Sequence, residues 1–335
     1  MPMRNQLATL VLGEVSKAVR GTIFQSSTMK SGPHYFPSSV PHQVTITEEK
    51  AKIDGQEITF SIQGYQPDIL VIQTNSVVPD IFDEEKVSAL EKNIYEQSYK
   101  ILKRHGGSDA YSENYSIFQV SDYKSDPEQF LTNASSIAAL LKSEKLTLDP
   151  KEVEYTLSTQ IKYAKHDLSI IDWDGAFLFD VEGDFGLAIE LLTLANLQLL
   201  RHRILDRKLD ERLENMLNLI REPKKSHWIF QNKALVEEVR SVIKNRITSI
   251  SAFQSLERDI KLIGDWYSAR FYDLATKKFK INEWKDSIKE KMDSIEDIQS
   301  TFIENFTVSR KDWAEWLVII GWLILIIMEF VLLAK

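Results

Sequence analysis

Cysteine is absent from all 335 residues. That absence removes disulfides, thiolate-held zinc, iron–sulfur clusters and cysteine nucleophiles from consideration. It fits a reducing compartment such as the cytoplasm. Histidine is scarce too. His34, His42, His105, His166, His202 and His227 include no pair at the i, i+4 spacing of a helical metal site, and there is no HExxH. The Gly- and Lys-bearing phosphate loop, GxGxxG and GxSxG are also missing, so nucleotide binding and serine hydrolysis lack their usual signatures. Nor is there an excess of positive charge. Lysine and arginine number 41 against 49 acids, a net charge of -8, so nucleic acid is expected as a partner only indirectly. Residues 1–20 show no signal-peptide core, because Glu14 interrupts their only apolar stretch.

What the chain does contain is patterned. Residues 21–42, rich in Gly, Pro and Ser, read as loop, so 1–42 form an N-terminal segment with at most a first strand. Strand-like runs follow at Val44–Thr47, Ile58–Ile62, Ile69–Gln73 and Tyr115–Val120. Helical spacing of Val87, Leu90, Ile94, Tyr95, Tyr99 and Leu102 predicts a helix over 83–104, closed by Gly106–Gly107. Asp126 before Pro127 predicts a second helix over 127–142. Extended runs are expected at Glu154–Tyr163, Asp167–Asp172 and Ala176–Val181, with Asp174–Gly175 as a hairpin turn. Residues 43–184 are therefore expected to be an α+β domain with antiparallel sheet.

From Phe185 the pattern turns helical, and 185–309 are expected to be a helical domain. A Leu-rich helix covers 185–220. A long antiparallel hairpin, coiled-coil-like, is expected over 234–308, jointed at Lys277–Lys280. Its third helix carries Ile281, Trp284, Ile288, Met292, Ile295, Ile298 and Phe302 in one seam. Two packed helices in a compact bundle are the plainer reading. The run 314–334, AEWLVIIGWLILIIMEFVLLA, would rise about 31 Å as a helix, enough for a bilayer core of about 30 Å. Trp313 and Trp316 sit where an interfacial belt belongs, and Arg310 and Lys311 precede them. These features predict a single-pass, tail-anchored protein of the cell inner membrane with its bulk cytoplasmic. Glu329 is either an intramembrane contact or an acid near the far headgroups.

Two groups invite chemistry. Asp172, Asp174, Asp180, Glu182 and Asp184 supply oxygen ligands for a divalent cation. Against this, Asp174–Gly175 suits a turn, and acids ahead of a helix suit its dipole. Arg201, Arg203, Arg207 and Lys208 form a basic belt suited to RNA or anionic headgroups, although Asp206, Asp210, Glu211 and Glu214 interleave with it as in a salt-bridged solvated face. Trp228, Trp266 and Trp284 are expected to be packing anchors rather than base-stacking platforms.

The segments DLSIIDWDGAFLFD (167–180), ELLTLANLQLLRHRILDRKLD (190–210) and RKDWAEWLVIIGWLILIIMEFVLL (310–333) resemble the domain of unknown function 155 family, which includes required-for-meiotic-nuclear-division and sporulation-induced proteins. Glu315, Trp316 and Glu329 would match the ending of that family. The resemblance implies a single-pass anchored protein without established catalysis, whose mitochondrial members support translation. Together these readings predict a membrane-tethered, non-enzymatic scaffold with a protein partner, self-associating through a helical stalk and needing no cofactor. The alternative is a divalent-metal-dependent enzyme or metal-regulated domain using Asp172–Asp184.

Overall fold

A computed structural model of the chain describes residues 3–16, 19, 22–23, 43–221, 266–298, 318–324 and 328. The chain divides into two compact units, Met1–Leu205 with Ile243–Lys285 and Asp206–Val242 with Asp286–Lys335.

The first unit is built on one nine-stranded sheet. Its strands are β1 (Arg4–Val15), β2 (Thr22–Ile23), β3 (Gln43–Ile53), β4 (Gln56–Tyr65), β5 (Ile69–Val78), β6 (Gly107–Ser121), β7 (Gln160–Ile161), β8 (Asp167–Ile171) and β9 (Gly175–Asp180). They lie in the order β2-β3-β4-β5-β1-β6-β9-β8-β7. Every pairing is antiparallel except that of β6 with β9. β1 lies at the centre and is covered on both faces, so Leu7, Ala8, Leu10, Val11 and Leu12 are all buried. A strand buried on both faces loses its apolar–polar alternation.

From β5 the chain reaches β6 through helix α1 (Glu84–Arg104). The Asp83 carboxylate caps α1 by accepting the Lys86 N–H at 3.2 Å. Val87, Ile94, Ile101 and Leu102 of α1 join Leu7, Val11, Phe118 and Val120 in one core. A 3-10 turn (Pro127–Asn133), α2 (Ala134–Leu141) and α3 (Pro150–Leu157) then lead to the β8–β9 hairpin. The opposite sheet face is closed by the start of α4 (Gly186–Arg221) and by α5 (Trp266–Lys278). There Leu192, Ala195, Leu199, Phe271 and Ala275 pack with Leu10, Leu12, Tyr115 and Ile117. Each buried Leu, Ile or Phe among them contributes about 1.5–3 kcal/mol of transfer free energy.

In the second unit, Asp206 and Asp210 of α4 hold Lys291 at 2.8 and 2.6 Å, and Ser287 donates to Asp206 at 2.9 Å. Met216, Ile288, Met292 and Ile295 are buried. Residues 318–324 are helical, and their apolar side chains are exposed.

Several expectations need correction. The α+β head followed by a helical hairpin and a transmembrane helix gives way to a mixed sheet with helices on both faces. The part of the expected stalk at 266–278 is α5, which belongs to the sheet's own core through Phe271, Tyr272, Ala275 and Phe279. Its joint does turn where the spacing placed it, with Lys280 at φ 51°. The start of that hairpin, 234–265, and its end, 299–308, lie outside the described residues. Glu154–Leu157 is helix rather than strand, because Asp149 caps α3 and Pro150 opens it.

The expected spanning helix is also corrected. No helix among the described residues is long and apolar enough to cross a membrane. The single-pass, tail-anchored, inner-membrane placement therefore loses its basis. Trp313, Glu315, Trp316 and Glu329 lie outside the described residues.

Candidate functional site

The register of the sheet assembles a polar stripe that no local sequence signal announces. Thr9 of β1 pairs with Thr74 of β5 on one side and with Ser116 of β6 on the other. Ser116 in turn pairs with Gly175 of β9. Side chains at paired positions on neighbouring strands share a face. Hence Thr74, Thr9 and Ser116 line up across the sheet beneath α1, and all three are buried. The Thr9 and Thr74 hydroxyls meet at 2.7 Å.

Above the stripe, α1 contributes Glu91, Tyr95 and Ser98. Ser116 Oγ donates a short hydrogen bond to Glu91 Oε1. The Tyr95 hydroxyl lies 2.6 Å from Ser116 Oγ. Glu91 is 6% exposed and Ser116 fully buried. Burial pushes the Glu91 carboxyl up to about 7, opposed by the Ser116 hydrogen bond and reinforced by the charge of Asp174. Burial likewise raises Tyr95 well above the usual phenol range. A serine beside a carboxylate suggests an activated nucleophile. Its zero exposure excludes that role in this conformation.

Next to the stripe is the β8–β9 turn. The Asp172 N–H donates to Gly175 O at 2.8 Å, and the Ser116 N–H donates to Asp174 O at 3.2 Å. A Cβ on Gly175 would stand 3.0 Å from Ser116 O, so this close approach of two strands demands glycine. Asp172, 2% exposed, is held from several sides. Lys278 of α5 approaches Oδ1 at 3.0 Å and the Trp173 N–H donates to the same oxygen at 2.8 Å. Lys142, just past α2, stands 3.7 Å from Oδ2 and pairs with Glu152 at 2.7 Å. The Asp174 carboxyl is raised by burial and by Asp172, with Lys142 opposing.

The proposed oxygen-ligand cluster is thereby dispersed. Asp172 and Asp174 sit at the turn, whereas Asp180 ends β9, about 17 Å away at strand rise. Asp180 Oδ1 accepts the N–H groups of Glu182, Gly183 and Asp184 at 2.8, 2.8 and 3.3 Å. Asp184 itself is exposed. Among the described residues no group of three or more His, Asp or Glu is arranged to hold a metal ion. Within the basic belt, Arg201 donates to Gln66 O at 2.6 Å and Arg203 pairs with Glu113. Arg207 faces Glu211 one turn on at 3.7 Å, and Lys208 is exposed.

Of the tryptophans, Trp284 packs against the core as expected, and Trp228 lies outside the described residues. Trp266 departs from expectation, being 64% exposed with the Arg270 guanidinium 4.4 Å over its ring. Sequence reasoning also missed Glu91. Its signal was available, since a lone acid four residues after Val87 and three before Ile94 falls inside the apolar stripe of α1.

Residues 10–185, most of the sheet unit, match the family model described as "Uncharacterized protein MJ0711, N-terminal domain". The chain is similar to the uncharacterized protein MJ0711 of Methanocaldococcus jannaschii, with 28% identity over 298 residues, 86% of this chain and 83% of the relative. No solved structure matches. The resemblance to the domain of unknown function 155 family is corrected accordingly. It rested on largely apolar segments of the C-terminal half, where many unrelated sequences agree, and the translation link it implied falls with it. The chain belongs to the family of proteins carrying the MJ0711 N-terminal domain.

Proposed function

We propose that this protein is an interaction protein, and that its sheet unit binds a protein partner through an exposed aromatic patch along the start of α5. The observation that carries the reading is the grouping of Tyr163, Trp266, Tyr267 and Arg270. Tyr163 is 69% exposed, and its ring lies 5.1 Å from that of Tyr267. Arg270 covers Trp266 one turn along the same helix. The loop bearing Tyr163 is fixed, because Asp167 accepts the N–H groups of Tyr163 and Ala164 at 3.1 and 2.6 Å.

Tyr, Trp and Arg are the residues that dominate binding hot spots, since each offers a large rigid contact surface with a polar end. Rings already in contact and a loop already capped lose little entropy on docking. The guanidinium beside Trp266 suits a partner carrying a carboxylate next to an apolar side chain. By contrast, Glu91 and Ser116 under α1 and Asp172 at the β8–β9 turn are buried inside the fold, where a substrate does not reach them.

The test is a photo-crosslinking amino acid placed at Tyr163 or Trp266 of the full chain in its own cell. A discrete protein adduct at both positions, absent at exposed Val77 of β5, is expected. Adducts of equal yield at Val77, or none at either patch position, would overturn the reading.

A further inference from the structure

Glu91 is a carboxyl placed inside the contact between α1 and the sheet. The groups facing it are few. From α1 itself come Tyr95 and, one turn on, Tyr99, whose hydroxyl donates to Asn114 Oδ1 at 3.4 Å. From β6 come Ser116 and Asn114, with Glu113 beside them paired to Arg203. From the β8–β9 turn comes Asp174, which Lys142 at the end of α2 partly neutralises. β1 and β5 present only the Thr9 and Thr74 hydroxyls. The charge that acts on Glu91 is thus a negative one, and the protonated form is favoured by burial and by Asp174 together.

The hydrogen bonds run in a line from this buried carboxyl: Glu91, Ser116, then Tyr95, which is half-buried. A hydroxyl both donates and accepts, so the line can be satisfied in either direction. We propose that Glu91, Ser116 and Tyr95 form a proton-responsive relay, by which the protonation state of a buried carboxyl is transmitted to the hydroxyl of the half-buried Tyr95.

In the protonated state, Glu91 O–H donates to Ser116 Oγ, Ser116 O–H donates to the Tyr95 oxygen, and Tyr95 O–H donates to water. Loss of the proton reverses every bond. The Glu91 proton passes to Ser116 as the Ser116 proton passes to Tyr95 and the Tyr95 proton passes to water. Each oxygen ends with the same number of bonds to hydrogen as before, except Glu91, which becomes a carboxylate. Tyr95 then donates to Ser116, and Ser116 to Glu91. No other co-reactant is required. The relay stands independently of the aromatic patch.

The test follows the Tyr95 Cζ and Glu91 Cδ signals by NMR in selectively labelled, otherwise unmodified protein, between about pH 5 and about pH 9. Both are expected to move together with one midpoint near neutrality. In Glu91→Gln the Tyr95 signal is expected to become flat. In Ser116→Ala, Glu91 still titrates and Tyr95 no longer follows. Asp174→Asn lowers the shared midpoint without uncoupling the pair. A Tyr95 signal that is flat in the unmodified protein, or that titrates apart from Glu91, overturns the proposal. So does a Tyr95 transition that survives Glu91→Gln. The first two outcomes need no variant to fold.

Discussion

Lys278 Nζ lies 3.0 Å from Oδ1 of Asp172, so the last residue of α5 is bonded to the turn that ends β8. Both partners are largely withdrawn from water, at 13% and 3% side-chain exposure. Lys278 also stands 4.9 Å from the centre of the Tyr155 ring and 3.4 Å from Thr159 Oγ1. The lysine is therefore enclosed by a carboxylate, a ring and a hydroxyl from three different segments. This arrangement ties the helix to the sheet.

Removal of one member of such a pair leaves the other charge buried without its partner. Asp172→Ala is expected to lower unfolding free energy by about 3–5 kcal/mol, whereas Asp172→Ala with Lys278→Met recovers a large part of that loss. Urea denaturation of the two variants checks this. A cost under about 1 kcal/mol for the single change would show that the pair does not hold the turn.

Packing makes a separate demand at the same turn. Gly175→Ala sets a Cβ 3.0 Å from the Ser116 carbonyl oxygen and 3.3 Å from the Phe118 ring. Backbone on one side and a buried ring on the other leave little room to relax. The expected cost is about 1–3 kcal/mol, read as a lowered midpoint in a thermal melt. An unchanged melt would mean that β6 and β9 can separate slightly at no cost.

These two residues also mark the limit of what the sequence discloses. Asp174–Gly175 announces its turn because turn chemistry is local, and α1 announces itself through its apolar spacing and its Asp83 cap. The central strand β1 does not, because burial on both faces erases the alternation that identifies a half-buried strand. The stretch Glu154–Tyr163 misleads for the opposite reason. Its alternation holds over a few residues, but Val153 and Thr156 face the core at helical spacing and the Asp149–Pro150 start decides for helix. The polar stripe is not legible at all. Thr9, Thr74 and Ser116 are neighbours only through pairing across more than sixty residues of chain, a register fixed by the whole sheet.

The stripe itself is open to a double-mutant cycle. Thr9→Val removes one hydroxyl and leaves that of Thr74 buried without its partner, at an expected cost of about 1–2 kcal/mol. Replacing both threonines with valine keeps the shape and removes the orphaned group. The double variant is therefore expected to be more stable than the single one. Additive losses would mean that the 2.7 Å contact contributes no coupling.

Glu91 sets the pH dependence of stability, and its sign is opposite to that of the usual carboxylate. Its folded-state value is near 7, against an ordinary value of 4.5. Between those two limits the folded chain holds a proton that the unfolded chain has released. Stability contributed by Glu91 is then full below about pH 4.5, falls as pH rises, and is gone above about pH 7, a total of about 3 kcal/mol. Glu91→Gln carries no such proton, so it removes the slope. The difference between the unmodified protein and Glu91→Gln cancels the titration of every other carboxylate. Urea midpoints at about pH 5 and about pH 8 are expected to favour the variant more at the higher pH. A difference that does not change with pH would place the Glu91 proton outside this window, and a change in the opposite direction would require a cation beside Glu91 in place of Asp174.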